Sequence, residues 1–167
     1  MSFIETPRLF LRTWMLPGDA VDGQELFDDE EVMRYIPHSF AKSADSIRII
    51  EFMTAMNERE GFGFWPVIAK GDGALVGECG LARIDDTPQI EIGWMFKRKY
   101  WGNGYATESA RAVLDYAFEH LRAPRVYALI DRMNARSIAV ANRLGMTYDR
   151  IVRQYHQDLM RYVKEQS

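Results

Sequence analysis

Apolar residues recur along this chain with changing periods, and each change marks an element. Arg8-Leu-Phe-Leu-Arg-Thr-Trp14 alternates between charged ends, which predicts a first strand stopped by Pro17-Gly18. Residues 19–37 are acidic and broken by Gly23 and Pro37, the pattern of one or two short helices. Ser43 is placed to cap a helix whose apolar Ile47, Ile50, Met53 and Met56 recur every third residue as far as Gly61. The period then shortens to two. Runs 64–69 and 74–84 flank Lys70-Gly-Asp-Gly73, and Asp-Gly between apolar runs signals a hairpin. In 89–96, Ile90, Ile92, Trp94 and Phe96 share one strand face, with Glu91, Gly93 and Met95 on the other.

From about Gly104 to Leu121 the helical period returns, with Ala106, Ala110, Val113, Leu114, Ala117, Phe118 and Leu121 in one stripe. Residues 126–130 are an unbroken apolar run of strand length, expected to be buried on both faces. Asn134 can cap a short helix over 135–144 that Gly145 ends, and 146–152 and 156–164 close the chain as strands. The order β-α-α-β-β-β-α-β-α-β-β predicts an α+β fold, a mixed sheet of about seven strands flanked by about four helices.

Composition narrows the function. The 167 residues suit one domain over 1–167, with 47% hydrophobic residues, which is enough for a packed core and too many for intrinsic disorder. The longest apolar run is five residues, against roughly 20 needed to span a bilayer, and the N-terminus has no signal-peptide pattern. A cytoplasmic location without a membrane partner is expected. The single Cys79 excludes an internal disulfide, and a net charge of −3 argues against nucleic acid as a partner. No metal is implied by the spacing of the three histidines: His120 suits a helix C-terminus, and neither His38 nor His156 has a ligand partner.

The stretch with chemistry in it is Lys97-Arg-Lys-Tyr-Trp-Gly-Asn-Gly-Tyr-Ala-Thr-Glu108, between a strand and a long amphipathic helix. Gly102 and Gly104 permit a tight turn and close backbone approach to a ligand. The unpaired N–H groups that open the helix favour an anion, and Lys97, Arg98 and Lys99 add positive charge. No Gly-Lys-Ser/Thr follows at Walker spacing, and Thr107 stands where a dinucleotide fingerprint has its third glycine.

Lys99-Tyr-Trp-Gly-Asn-Gly-Tyr-Ala-Thr-Glu108 resembles the acyl-CoA-binding motif of the GNAT superfamily of N-acetyltransferases, Gln/Arg-x-x-Gly-x-Gly/Ala. Thr6-Pro-Arg-Leu-Phe-Leu-Arg12, Glu91-Ile-Gly-Trp94 and Asn134-Ala-Arg-Ser-Ile-Ala-Val-Ala-Asn-Arg-Leu-Gly-Met146 resemble further words of its Rim-type branch, the ribosomal-protein N-terminal acetyltransferases and their relatives. Two positions depart from the pattern. Lys99 occupies the Gln/Arg position and can meet phosphate only as a point charge. Val140 and Ala141 stand where many members carry the tyrosine that reprotonates the CoA thiolate.

The resemblance implies transfer of an acetyl group from acetyl-CoA to a primary amine, a protein N-terminus or a small molecule, by direct attack in a ternary complex. Strands 89–96 and 126–130 would splay to admit the pantetheine, with the strand end at Met95 and Phe96 meeting the acetyl carbonyl. Arg98, Lys99, Trp101, Gly102, Asn103, Gly104, Tyr105 and Ala106 would hold the pyrophosphate, Asn134 the pantetheine, and Ser137 would lie near the sulfur as a candidate acid. Glu91, beside Gly93, is the candidate base, with Glu78 in reserve. Cys79 fits a small buried hydrophobe better than an acyl carrier. The acceptor pocket would draw on Asp28, Asp29, Glu30, Glu31, Tyr35, Phe62, Phe64, Trp65, Tyr155 and His156, acids and aromatics that suit a cationic amine. The missing tyrosine also admits a non-catalytic acyl-CoA sensor of the same fold. A monomer or homodimer is expected.

Overall fold

The computed structural model describes residues 4–37 and 45–167. In chain order it contains β1 (Ile4–Glu5), β2 (Leu9–Leu11), α1 (Ala20–Phe27), α2 (Glu30–Met33), α3 (Ser46–Glu60), β3 (Phe64–Ala69), β4 (Leu75–Arg83), β5 (Ile90–Phe96), a 3-10 turn (Arg98–Tyr100), α4 (Tyr105–Glu119), β6 (Arg125–Ile130), α5 (Ala135–Arg143), β7 (Thr147–Gln154) and β8 (Gln157–Glu165). The strands form one sheet in the order β1-β2-β3-β4-β5-β6-β8-β7, antiparallel except where β5 meets β6.

The α+β fold is the expected one, with local differences. The strand predicted over 8–14 is shorter, Leu9–Leu11, and a further strand, Ile4–Glu5, precedes it across a turn at Thr6-Pro7, where Thr6 N–H meets Leu9 O at 3.0 Å. Past Leu11 the chain leaves the sheet because Arg12 forks onto the buried Asp19 at 2.7 and 2.8 Å. The helix assigned to a Ser43 cap is capped by Asp45, whose Oδ1 accepts from Arg48 N–H at 3.0 Å; Ser43 lies outside the described residues. The hairpin at Asp72-Gly73 forms as predicted, with Gly73 at φ 74°.

The sheet sorts its side chains by parity. On one face Trp65, Val67, Cys79, Leu81, Ile92 and Phe96 pack under α4 through Ala110, Val113, Leu114 and Ala117. On the other, Leu26, Phe27, Val32, Ile49, Ile50 and Met53 carry α1, α2 and α3, reaching Phe64 and Met95. Glu78 and Glu91 both belong to this second face, since Glu78 stands opposite Met95 and Glu91 opposite Ala82. Among the described residues no helix is long and apolar enough to cross a membrane.

One ion-pair cluster ties the helical layer to the end of β5. Lys97 Nζ, only 6% exposed, bonds Asp22 at 2.5 Å and Glu25 at 2.8 Å on α1. Burial pulls its pKa down, yet the two carboxylates outweigh that and hold it above the usual lysine range. Arg98 Nε meets Asp29, the α2 cap, at 2.7 Å. Lys97→Met should therefore lower stability by about 1–3 kcal/mol, since it leaves a charge cluster without its cation. Thermal unfolding should show a Tm several degrees lower. An unchanged Tm would mean that α1 is held by its apolar face alone.

Candidate active site

β5 and β6 pair only at Ile90 with Val126 and Glu91 with Tyr127. Beyond those two positions the strands part, and Ile92 to Phe96 face Ala128 to Asp131 across a cleft of about 1490 Å³. The β4 ladder shows which backbone groups face the gap. Ile84 N–H bonds Gln89 O at 2.9 Å and Lys97 N–H bonds Val76 O at 3.0 Å, so the odd-numbered residues of β5 bond β4. The N–H groups of Trp94 and Phe96 then point toward β6, which has moved away. Met95 N–H is spent on β4, and Met95 gives the cleft its side chain instead.

At one end of the gap, α4 begins without a side-chain cap. Gly104 is its N-cap at φ 79°, Gly102 sits at φ 80°, and the first helical bond is Glu108 N–H to Gly104 O at 3.0 Å. The N–H groups of Tyr105, Ala106 and Thr107 are thus left without intrahelical acceptors, at the positive end of a 15-residue helix. A Cβ at Gly104 would stand 3.4 Å from the Arg8 guanidinium, so the left-handed backbone, more than crowding, calls for glycine there. Trp101 is pinned by Nε1 on Phe96 O at 2.7 Å, and the Arg136 guanidinium lies over its ring at 4.0 Å.

The expected residues divide into two groups. Glu91, Met95, Phe96, Trp101, Gly102, Gly104, Tyr105, Ala106, Asn134 and Ser137 line the cleft. Arg98, Lys99 and Asn103 do not: Arg98 is taken by Asp29, Lys99 lies 3.9 Å from Glu25, and Asn103 braces its own loop through Tyr100 O at 2.9 Å. Among the described residues the positive side chains that line the cleft are Arg34, which pairs with Glu31, and Arg111, Arg136 and Arg143 on α4 and α5. Arg136 and Arg143 are seven residues apart, two turns of one helix, a spacing the sequence contains but charge counting around the glycines overlooks. Asn134, not Ser137, is the cap of α5: its Oδ1 accepts from Ser137 N–H at 3.2 Å, which leaves its amide N–H2 to face a ligand.

On the other side of the gap the wall is mostly apolar, with Phe27, Val32, Met33, Ile49, Met53 and Phe64 beside Tyr35 and Tyr155. Of the acids at 28–31 only Glu31 reaches it, paired with Arg34 at 3.4 Å. Phe62 and Trp65, expected here, are buried in the α4-side core, where Trp65 stacks edge-on to Tyr116 at 5.4 Å. His156 sits at the β7–β8 turn without lining the cleft, and His38 lies outside the described residues. Among the described residues no three metal-ligating side chains converge.

Glu91 is the most distinctive polar group. Burial pushes its pKa up to about 7, the Tyr155 O–H donating to its Oε1 pulls the other way, and the charge of Asp85 adds to the rise. The tyrosine arrives from a turn in which both Tyr155 (φ 51°) and His156 (φ 62°) are left-handed, a conformation usually left to glycine or asparagine. Gln154 Nε2 on Asp85 Oδ2 at 2.9 Å braces the same hairpin tip against the β4–β5 loop. Cys79 lies on the opposite face, and burial pushes its thiol up to about 12, which makes it inert.

The sequence profile of the acetyltransferase (GNAT) domain matches residues 8–147. The uncharacterized protein YkkB of Bacillus subtilis is 37% identical over 143 residues, covering 84% of this chain and 82% of its own. A GNAT-family acetyltransferase structure from Bacillus anthracis superposes with a TM-score of 0.81 at 27% identity, covering 97% of this chain and 96% of that one. The microcin C7 self immunity acetyltransferase MccE, solved with acetyl-CoA and AMP, shares the fold with a TM-score of 0.79 at 18% identity, over 96% and 93% of the two chains. A parted central strand pair, a bare helix N-terminus behind Gly-x-Gly, and a profile match over most of the sequence agree: the chain belongs to the GNAT family of acetyltransferases.

Proposed function

We propose that this enzyme moves the acetyl group of acetyl-CoA to a primary amine by direct attack in a ternary complex, with Glu91 as general base. The observation that carries this reading is the continuity of one cleft from the uncapped N-terminus of α4, through the gap between β5 and β6, to the part-buried Glu91–Tyr155 pair. The pyrophosphate would rest on the N–H groups of the 102–106 turn, with Arg111, Arg136 and Arg143 in place of the expected Arg98 and Lys99. The pantetheine would complete the broken β5 ladder and meet Asn134, with Ser137 near the sulfur. The Trp94 and Phe96 N–H groups are aimed to receive the charge that forms on the thioester oxygen.

The amine must shed a proton before it attacks. Glu91 accepts it, directly or through one water, the amine nitrogen bonds the acetyl carbon and sheds its second proton, and the C–S bond breaks to release CoA thiolate, which takes that second proton. A carboxyl near pKa 7 is divided between its two forms at neutral pH, which suits a base. The Glu91–Tyr155 pair favours an enzyme over a non-catalytic sensor, since acyl-CoA recognition has no use for a tuned carboxyl. As part of the same reading the protein works in the cytoplasm as a monomer or homodimer, without nucleic acid or membrane as partner.

Three outcomes test this. Acetyl-CoA should raise Tm by several degrees, and Gly104→Val, which forces a β-branched residue into a left-handed position, should abolish that shift. If the variant proves unfolded by circular dichroism, Arg136→Ala should weaken the shift instead; full retention in a folded variant would remove the assigned cradle. Glu91→Gln should cut kcat about 10²–10⁴-fold in a thiol-release assay with the KM for acetyl-CoA unchanged. Rate should climb as pH rises through about 7, because the base works deprotonated. Tyr155→Phe removes the donor that stabilises the Glu91 carboxylate, so the acid limb should move to higher pH; Asp85→Asn removes a repelling charge and should move it lower. Tyr127 opposite on β6, with Arg161 over its ring, and Glu78 on the same face stay in place in both variants. Limbs that do not move would refute Glu91 as the titrating base.

A further inference from the structure

Glu78 lines the cleft, and acetyl transfer as described makes no use of it. It is 2% exposed, and its Oε2 has no hydrogen-bond partner among the described residues. Buried carboxyls are ordinarily paired, and an unpaired one weakens the fold, so its retention on a wall of the active site needs an explanation. Its surroundings give one. On the acceptor-facing side of the sheet Glu78 stands directly opposite Met95 on β5 and Pro66 on β3. Two residues along β4, Gly80 faces Gly93, and the Phe64 ring covers the glycine floor, its Cε1 2.9 Å from where a Gly93 Cβ would be. Two residues further along β5 is Glu91. The backbone positions of the two glutamates are therefore about 13 Å apart along the strands, and Phe27, Ile49 and Met53 line the same cleft.

We infer that Glu78 is an acceptor-recognition residue, whose carboxyl group takes an uncharged hydroxyl or amide carried on the apolar body of the amine that reacts beside Glu91. The inference rests on the acetyl-transfer reading and adds the class of acceptor. A mostly apolar wall favours an apolar or aromatic body over a polyamine or aminoglycoside. Of the α1 and α2 acids, Asp22, Glu25 and Asp29 are spent on Lys97 and Arg98, and Glu31, which lines the cleft, pairs with Arg34. Burial alone pushes the Glu78 carboxyl up to about 8, so at neutral pH it is mostly the protonated acid, able both to donate and to accept. A hydroxyl or amide matches both functions; a second cation would have to shed its water in an apolar slot.

The probes are tyramine and phenethylamine, equal in body and differing in one ring hydroxyl, with spermidine as the polycation. Thiol release is followed in the wild type, Glu78→Gln and Glu78→Met, alongside Tm with and without acetyl-CoA. The wild type should prefer tyramine over phenethylamine in kcat/KM by about tenfold or more and use spermidine worst. Glu78→Gln, which still donates and accepts, should keep the preference. Glu78→Met should lose it while acetylating phenethylamine as well as the wild type does, with an unchanged KM for acetyl-CoA. Its Tm should rise by a few degrees, since it removes a buried unpaired group. A tyramine preference that survives in Glu78→Met, or a lowered Tm for that variant, overturns the proposal, as does a spermidine preference in the wild type. If no amine reacts while acetyl-CoA still raises Tm, the acceptor class falls and the cofactor site stands; if acetyl-CoA has no effect either, the acetyltransferase assignment of this cleft falls with it.

Discussion

Backbone hydrogen bonding in a sheet is cooperative in space: each strand satisfies one neighbour with every second residue and the other neighbour with the rest. When β5 and β6 separate after two paired positions, the β6-facing backbone groups of Ile92, Trp94 and Phe96 lose their strand partner, and of these Phe96 O is taken by Trp101 Nε1. Such groups need a substitute partner. An extended ligand arm with its own amide groups can serve as the missing strand segment. Much else in the structure answers to this gap: α4 starts at its mouth, α5 closes its flank, and the helical layer α1–α3 covers the face onto which the reacting end emerges.

Charge is distributed so that the two halves of the cleft do not compete. The three bases of 97–99 lie closest in sequence to the glycine turn, yet they face the acids of α1 and α2 and act as the clasp between helical layer and sheet. Arg111, Arg136 and Arg143 of α4 and α5 line the cleft together with Glu78 and Glu91 of the sheet. Burial raises both carboxyls, leaving Glu78 mostly protonated at neutral pH and Glu91 divided between its two forms, with the Tyr155 phenol, 64 residues away in sequence, drawing Glu91 back down.

The elements themselves were legible because they are written in local period and local turn chemistry. The α4 stripe, the Asp72-Gly73 hairpin and the alternation of β5 each need only a short window of sequence. Alternation gives two faces without saying which one receives which helix. The family resemblance groups Phe64 with Trp65 at the acceptor pocket, but adjacent strand residues take opposite faces, and only Phe64 lines the cleft while Trp65 is core. Long-range charge pairing was illegible for a related reason: nothing near Lys97 announces that residues 22 and 25 will reach it. The burial of Glu78, in the sequence only a reserve base on the face of Val76, Gly80 and Ala82, depends on the same unknown. Short first strands were misjudged because two and three residues are too few for a period to register.

The interior of a sheet is usually the last place to exchange its amide protons with water. Here Trp94 and Phe96 lie on the fifth strand of an eight-stranded sheet, and their N–H groups face a gap instead of a strand. In the empty enzyme these protons exchange on the timescale of solvent entry into the cleft and not of global unfolding. On the proposed reading, an acyl donor seated in the gap would convert them to protected protons. Occupancy of the site is thereby recorded in the isotope content of two amides at the heart of the fold, and the flanking odd-numbered positions, bonded to β4 in either state, provide the internal reference.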